Sequence, residues 1–158
     1  MITIGIDPGL SGAIGILLDG LLGAVEDMPI VAKGSGSVKN EVDPAGLMLL
    51  LRRHADLNQP VRAVLERVNA MPGQGVSSVF SLGDSFGTAR ACVAACGIEL
   101  TYVTPVNWKK HFNLVSDKEM SRALAVRMFP AAPLHLKKHS DRAEALLMAR
   151  WLYDRSRH

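Results

Sequence analysis

The chain of 158 residues predicts one α/β domain, residues 1–158, built on a mixed five-stranded sheet with helices on both faces. Three observations carry this expectation. Ile2, Ile4 and Ile6 alternate with Thr3, Gly5 and Asp7, the period of a half-buried strand. Two further strand-like runs follow by residue 27, each after a tight-turn signal, so the first three strands form an antiparallel meander. The later strand-like runs are separated by helical patterns, the arrangement of strands joined by crossovers that cover a sheet.

The elements follow in order. Pro8 to Ser11 turn the chain out of the first strand, and "GAIGILL" (12–18) is the second. Asp19-Gly20 is a hairpin signal leading to a third strand over 21–27. Residues 30–42, "IVAKGSGSVKNEV", are small, polar and Gly/Ser-rich, and are expected to form a mobile surface loop. Asp43 then suits an N-cap and Pro44 the first helical position, opening a helix to about residue 57. "VRAVLERV" (61–68) is the fourth strand, "NAMPGQG" (69–75) a loop, and 76–96 a long small-residue helix stopped by Gly97. "IELTYV" (98–103) is the fifth strand, followed by a short helix near 105–112. Ser116 and Glu119 make a capping-box pattern for a helix to about 128, 129–138 is a loop, and a last helix runs over about 140–154.

Composition sets broad bounds. Nearly half the residues are apolar and about a fifth charged, ordinary for a water-soluble domain. No apolar run has the length of a membrane span, and no basic segment precedes the first apolar stretch, so neither a membrane anchor nor a signal peptide is expected. Cys92 and Cys96, four apart with no second pair, suit small buried positions better than a zinc or redox site, and imply a reducing cytoplasm. Net charge is only +3, but residues 1–103 hold 7 Lys/Arg against 10 Asp/Glu, while 104–158 hold 11 against 5. A basic C-terminal third suits a polyanion docking on one side.

Four acids stand where core is expected. Asp7 closes the first strand and Glu66 lies near the end of the fourth, positions where α/β proteins place their chemistry. At 100° per residue, Asp141, Ala145, Met148 and Leu152 fall within about 60° on the last helix, with Glu144 on the same edge. That apolar stripe must pack on the sheet. Four carboxylates converging there repel one another unless cations compensate them, and oxygen-only ligands favour hard divalent ions such as Mg²⁺ or Mn²⁺. Asp7 thereby reads as a metal ligand. The competing reading is a salt-bridged cluster neutralised by Arg67 or Arg142.

"IGIDPGLSGAIG", "VLERV" and "SDRAEALLMA", in this order and spacing, resemble the RuvC-like branch of the RNase H-like nucleases, which includes short phage-encoded Holliday-junction resolvases. The resemblance spans essentially the whole chain. It implies an RNase H-like fold, with Asp7, Glu66, Asp141 and Glu144 as catalytic metal ligands. It also implies two Mg²⁺ (or Mn²⁺) ions per site, Asp7 bridging them, and a homodimer nicking a four-way junction symmetrically in recombination or repair. Members often have aspartate where this chain has Glu144, and some carry an aromatic after the second acid, where this chain has Asn69 and Met71.

The residues expected to grip the DNA backbone are Lys109 and Lys110 beside Trp108, Lys118 and Arg122 on the next helix, and Lys137, Lys138 and Arg142 beside the acids. Trp108 and Phe112 suit the core better than stacking platforms, and His139 suits a cap or surface position. Val76, Val79, Phe80, Gly83 and Phe86 make the long helix the candidate dimer interface, with packing inside one subunit as its alternative. Other function classes share some of these features. A general branched-DNA or RNA–DNA hybrid endonuclease would use the same metal site, whereas a non-catalytic DNA-binding scaffold would have lost acids from the set. An actin-type ATPase would need a second such domain.

Overall fold

Alternation along the first strand organises the molecule. The computed structural model describes residues 1–36, 38–55 and 58–157. Strand β1 (Ile2–Asp7) lies at the centre of the main sheet, paired antiparallel with β2 (Ala13–Leu18), which pairs antiparallel with β3 (Leu21–Asp27). Two short strands, β4 (Ile30–Ala32) and β5 (Asn40–Val42), form a separate antiparallel hairpin. On its other side β1 pairs parallel with β6 (Val61–Glu66), which pairs parallel with β7 (Glu99–Val103). The main sheet therefore has the order β3-β2-β1-β6-β7, the mixed five-stranded arrangement expected.

Ile2, Ile4 and Ile6 face helices α1 (Pro44–Ala55) and α2 (Val76–Ala95) in a core completed by Leu47, Leu51, Leu65, Ala89 and Val93. Thr3, Gly5 and Asp7 face the opposite side, where α3 (Pro105–His111), α4 (Lys118–Met128) and α5 (Ser140–Ser156) pack around Val64, Val103, Trp108 and Leu147. Helix α5 crosses β1 and β2 closely enough to require glycine at two places. A Cβ on Gly5 would overlap the Ala145 carbonyl, and one on Gly15 would come within 2.6 Å of the Leu146 nitrogen.

Several local expectations are corrected. Residues 30–42 are not simply a loop, because Met28 and Val42 are buried and the Asp43 amide bonds the Pro29 carbonyl, pinning both ends of the β4–β5 hairpin. Helix α4 is capped by Asp117 rather than Ser116: its carboxylate accepts from the Glu119 amide at 2.8 Å. Strand β6 stops at Glu66, two residues earlier than expected. The cap at Asp43 is as expected, accepting from the Ala45 amide at 3.0 Å, and residues 56–57 at the expected end of that helix lie outside the described residues. The single apolar stripe expected on α5 is instead burial nearly all round from Ala143 to Leu152, because α4 packs on the side away from the sheet. Among the described residues no helix is long and apolar enough to cross a membrane.

Candidate active site

Strand register brings the first two acids level. β1 and β6 run parallel with Ile6 opposite Leu65, so Asp7 and Glu66, one residue on, stand side by side at the same end of the sheet. Both also point to the α5 side, as Gly5 and Val64 do two residues earlier. The N-terminal end of α5 comes to that end of the sheet and adds Asp141 and, one turn on, Glu144. One carboxylate oxygen from each of Asp7, Asp141 and Glu144 lies within 4.8 Å of the others. Glu66 stands beside this triple rather than in it, its Oε1 accepting from the Trp108 indole N–H at 2.8 Å.

The electrostatics show how strained this grouping is. Burial, then repulsion by Glu66, Asp141 and Glu144, raises the pKa of Asp7 from 3.8 to about 7, with the Gly9 amide opposing. Burial also raises Glu66, partly offset by the Trp108 hydrogen bond. Two lysines enter the cluster. Lys109 Nζ lies 2.9 Å from Glu144 Oε1, both side chains nearly buried at 14% and 6% exposure, and Lys118 Nζ donates to Asp141 Oδ1 at 2.6 Å. Burial works against the charge on Lys118, but its bond to Asp141 and the fields of Asp141, Glu144 and Asp7 leave its pKa raised. The competing salt-bridge reading named other cations. Arg67 lies over the Tyr102 ring, 4.5 Å from its centroid, and Arg142 pairs with Asp27 at 2.6 and 2.7 Å.

Four carboxylates against two ammonium groups leave a formal excess of two negative charges when all are ionised. Glu144 Oε1 is buried and ion-paired with Lys109 at 2.9 Å, so the two lysines compensate part of the negative charge at this end of the sheet and leave the rest. The donor set is entirely oxygen, which suits a hard divalent ion. The residues present fit such an ion.

The remaining expected DNA contacts divide by environment. Lys110, Lys137 and Lys138 are exposed, the last two on a single 3-10 turn (Lys137–His139) that leads into α5. Arg122 is held by Glu119 and by the Leu134 carbonyl at 2.8 Å, and Arg142 by Asp27 and the Pro133 carbonyl, so both tie neighbouring segments together. His139 is buried, its Nδ1 accepting from the Leu136 amide at 3.4 Å. Asn69 and Met71 lie exposed in the turn after Glu66, closed by Met71 N–H to Gln74 Oε1 at 2.8 Å. On α2, Phe86 joins the core while Val76 and Phe80 point outward at 87% and 67% exposure. Trp108 is core, as expected, but its role as donor to Glu66 was not visible. Only the tryptophan beside two lysines in "NWKKH" hinted at it, and the carboxylate it serves lies 42 residues away.

A central antiparallel meander extended by parallel crossovers, with helices on both faces, is the RNase H-like fold in its RuvC-like form. Among solved structures, the chain is similar to "T. thermophilus RuvC in complex with Holliday junction substrate", with a TM-score of 0.60 and 16% identity over 99% of this chain and 96% of that one. It is also similar to "Thermus thermophilus RuvC structure", with a TM-score of 0.57 and 16% identity over 96% of this chain and 95% of that one. No family model and no curated protein matches the chain. At this identity the likeness is one of fold.

Proposed function

We propose that this protein is a divalent-metal-dependent endonuclease acting on branched DNA, and that it resolves four-way junctions as a homodimer by paired nicking. The observation that carries the reading is the convergence of Asp7, Glu66, Asp141 and Glu144, with an excess negative charge, at the end of the sheet of a RuvC-like fold. Asp7, Asp141 and Glu144 would hold the ions, with Glu66 beside them. Bound there, Mg²⁺ or Mn²⁺ supplies Lewis-acid polarisation of a phosphodiester.

The chain's own groups prepare that chemistry. Trp108 fixes one Glu66 oxygen at 2.8 Å and so restricts the carboxylate's orientation beside the cluster, a charge-assisted bond when Glu66 is ionised. Lys109 and Lys118 compensate the acids and are the cations nearest to a DNA phosphate approaching them. Lys137 and Lys138 extend positive charge along the adjoining surface, suited to the backbone of a junction arm. The exposed Val76, Phe80 and Gly83 on α2 offer the surface for a second copy, whose twofold axis would match that of the junction.

The test compares wild type with Asp7→Asn on a labelled synthetic four-way junction, with and without Mg²⁺, beside duplex, flap and RNA–DNA hybrid controls. Paired Mg²⁺-dependent nicks, lost in Asp7→Asn while binding persists, are expected. Equal cutting of flaps or hybrids would replace the junction-resolving reading with a broader nuclease. Binding without cutting in any metal would leave a DNA-binding scaffold.

A further inference from the structure

A second feature adjoins the acids and is not used by them. After α3 the chain turns back: Asn113 adopts φ 54°, its amide bonds the Lys110 carbonyl at 3.1 Å, and the Leu114 amide bonds the Lys109 carbonyl at 2.9 Å. Asparagine is among the few side chains that adopt this left-handed geometry readily. The returning segment and the helix line an open pocket of about 390 Å³. Its walls are apolar, chiefly Val106, Leu114 and Val115, and Asn113 and Ser116 add exposed polar ends. Val106 and Val115 are 73% and 59% exposed, so apolar surface stays in water unless something covers it.

Position indicates the occupant. Lys109 lines the pocket, yet its Nζ reaches Glu144 in the acid cluster, so pocket and cluster are separated by one side chain. Lys110 lines the same pocket and is exposed. The two lysines form a basic path from the acids to the pocket, along which a DNA strand with a phosphate at the acids would bring its next nucleotide over the pocket. We infer that the pocket receives one unstacked nucleobase of the strand being cut, next to the scissile phosphate. Val106 and Val115 lie against its faces, and Asn113 and Ser116 read its edge. The pocket is roomy enough for a base, its apolar walls suit the faces, and the asparagine amide offers both a donor and an acceptor. The flanking ammonium groups suit the phosphates on either side. This site gives the nuclease a sequence preference at one position and rests on the endonuclease reading above.

The test is an abasic scan. A branched substrate that the protein nicks is remade with single abasic sites at each position within three nucleotides of the mapped cut. At one position, loss of the base lowers the nicking rate of wild type roughly tenfold, the size of a lost base contact. Val106→Asp, at an exposed position that folding tolerates, lowers nicking of the intact substrate by a similar factor and is indifferent to that abasic site. Asn113→Gly, which keeps the left-handed backbone and removes the amide, flattens the preference among the four bases there. A uniform scan, or unchanged sensitivity in Val106→Asp, overturns the inference and leaves the nuclease reading standing. If no DNA is nicked, methyl NMR with the dinucleotide d(pTpT) decides independently of activity. Shifts at Val106, Leu114 and Val115 that inorganic phosphate does not reproduce uphold the pocket while the nuclease reading fails, and their absence removes both.

Discussion

Replacing Asp7 by asparagine should make the metal-free protein more stable, the opposite of the usual result for a buried functional residue. The carboxyl titrates at about 7 in the fold against 3.8 ordinarily. Between those values the folded state holds a proton that the unfolded state has released, so wild-type stability falls as pH rises through this window. Below 3.8 both states are protonated and nothing is lost, and above 7 the loss is complete. At about 1.4 kcal/mol per pH unit, the interval corresponds to about 4 kcal/mol at pH 8. The asparagine amide retains desolvation of its own, so the net gain expected is about 2 kcal/mol, or about 4–8 °C in Tm for a chain of this size. Urea melts of both proteins in EDTA at pH 4.5, 6 and 8 measure it: the advantage of Asp7→Asn grows with pH and levels off near 8. Added Mg²⁺ should then reverse the order, because an ion bound only by the folded state stabilises the wild type more. If Asp7→Asn is no more stable than wild type at pH 8 in EDTA, Lys109 and Lys118 fully neutralise the cluster and the argument for bound cations fails.

Three further predictions follow from the same geometry. Trp108→Phe removes the donor to a half-buried Glu66 oxygen and should lower stability by about 1–2 kcal/mol. It should also raise the Glu66 pKa further, moving the pH at which Mg²⁺ binds upward, as a calorimetric titration over pH would show. Gly5→Ala drives a methyl into the α5 backbone and should lower stability by about 3 kcal/mol or more, read by chemical denaturation, whereas Gly87→Ala, inside helix α2 with open space around it, should be neutral or stabilise by up to about 1 kcal/mol. Replacing Lys137 and Lys138 by alanine should weaken junction binding and reduce the slope of log affinity against log salt by about 1–2 in a filter-binding series, with no change in the base preference of the cut.

The acids, the strands that carry two of them and the helix that carries the others were legible because periodicity is local. An aspartate that ends an Ile-alternating strand, or two acids at the N-terminal end of an apolar helix, breaks a pattern spanning only a few residues. That the later strands join through crossovers followed from the order of elements, whereas the parallel pairing of β1 with β6 that sets Asp7 beside Glu66 came from the structure. The small misplacements have local causes: Ser116 and Asp117 are adjacent residues that both suit a cap, and β4 and β5 are only three residues each in a Gly/Ser-rich stretch.

What only the tertiary structure decided is which charges meet. Seven basic residues were grouped by their place along the chain, yet two of them, Lys109 and Lys118, turn inward to the acids, and two, Arg122 and Arg142, tie neighbouring segments together. The Trp108 bond to Glu66 spans 42 residues and the Arg142 pair with Asp27 spans 115. A side chain several bonds long can reach any partner within a sphere around its backbone, so its choice depends on helix crossing and burial rather than on its neighbours in sequence. Local pattern therefore determined where carboxylates would gather. The packing of α3, α4 and α5 over the sheet decided how they are compensated, and how much negative charge is left for a cation.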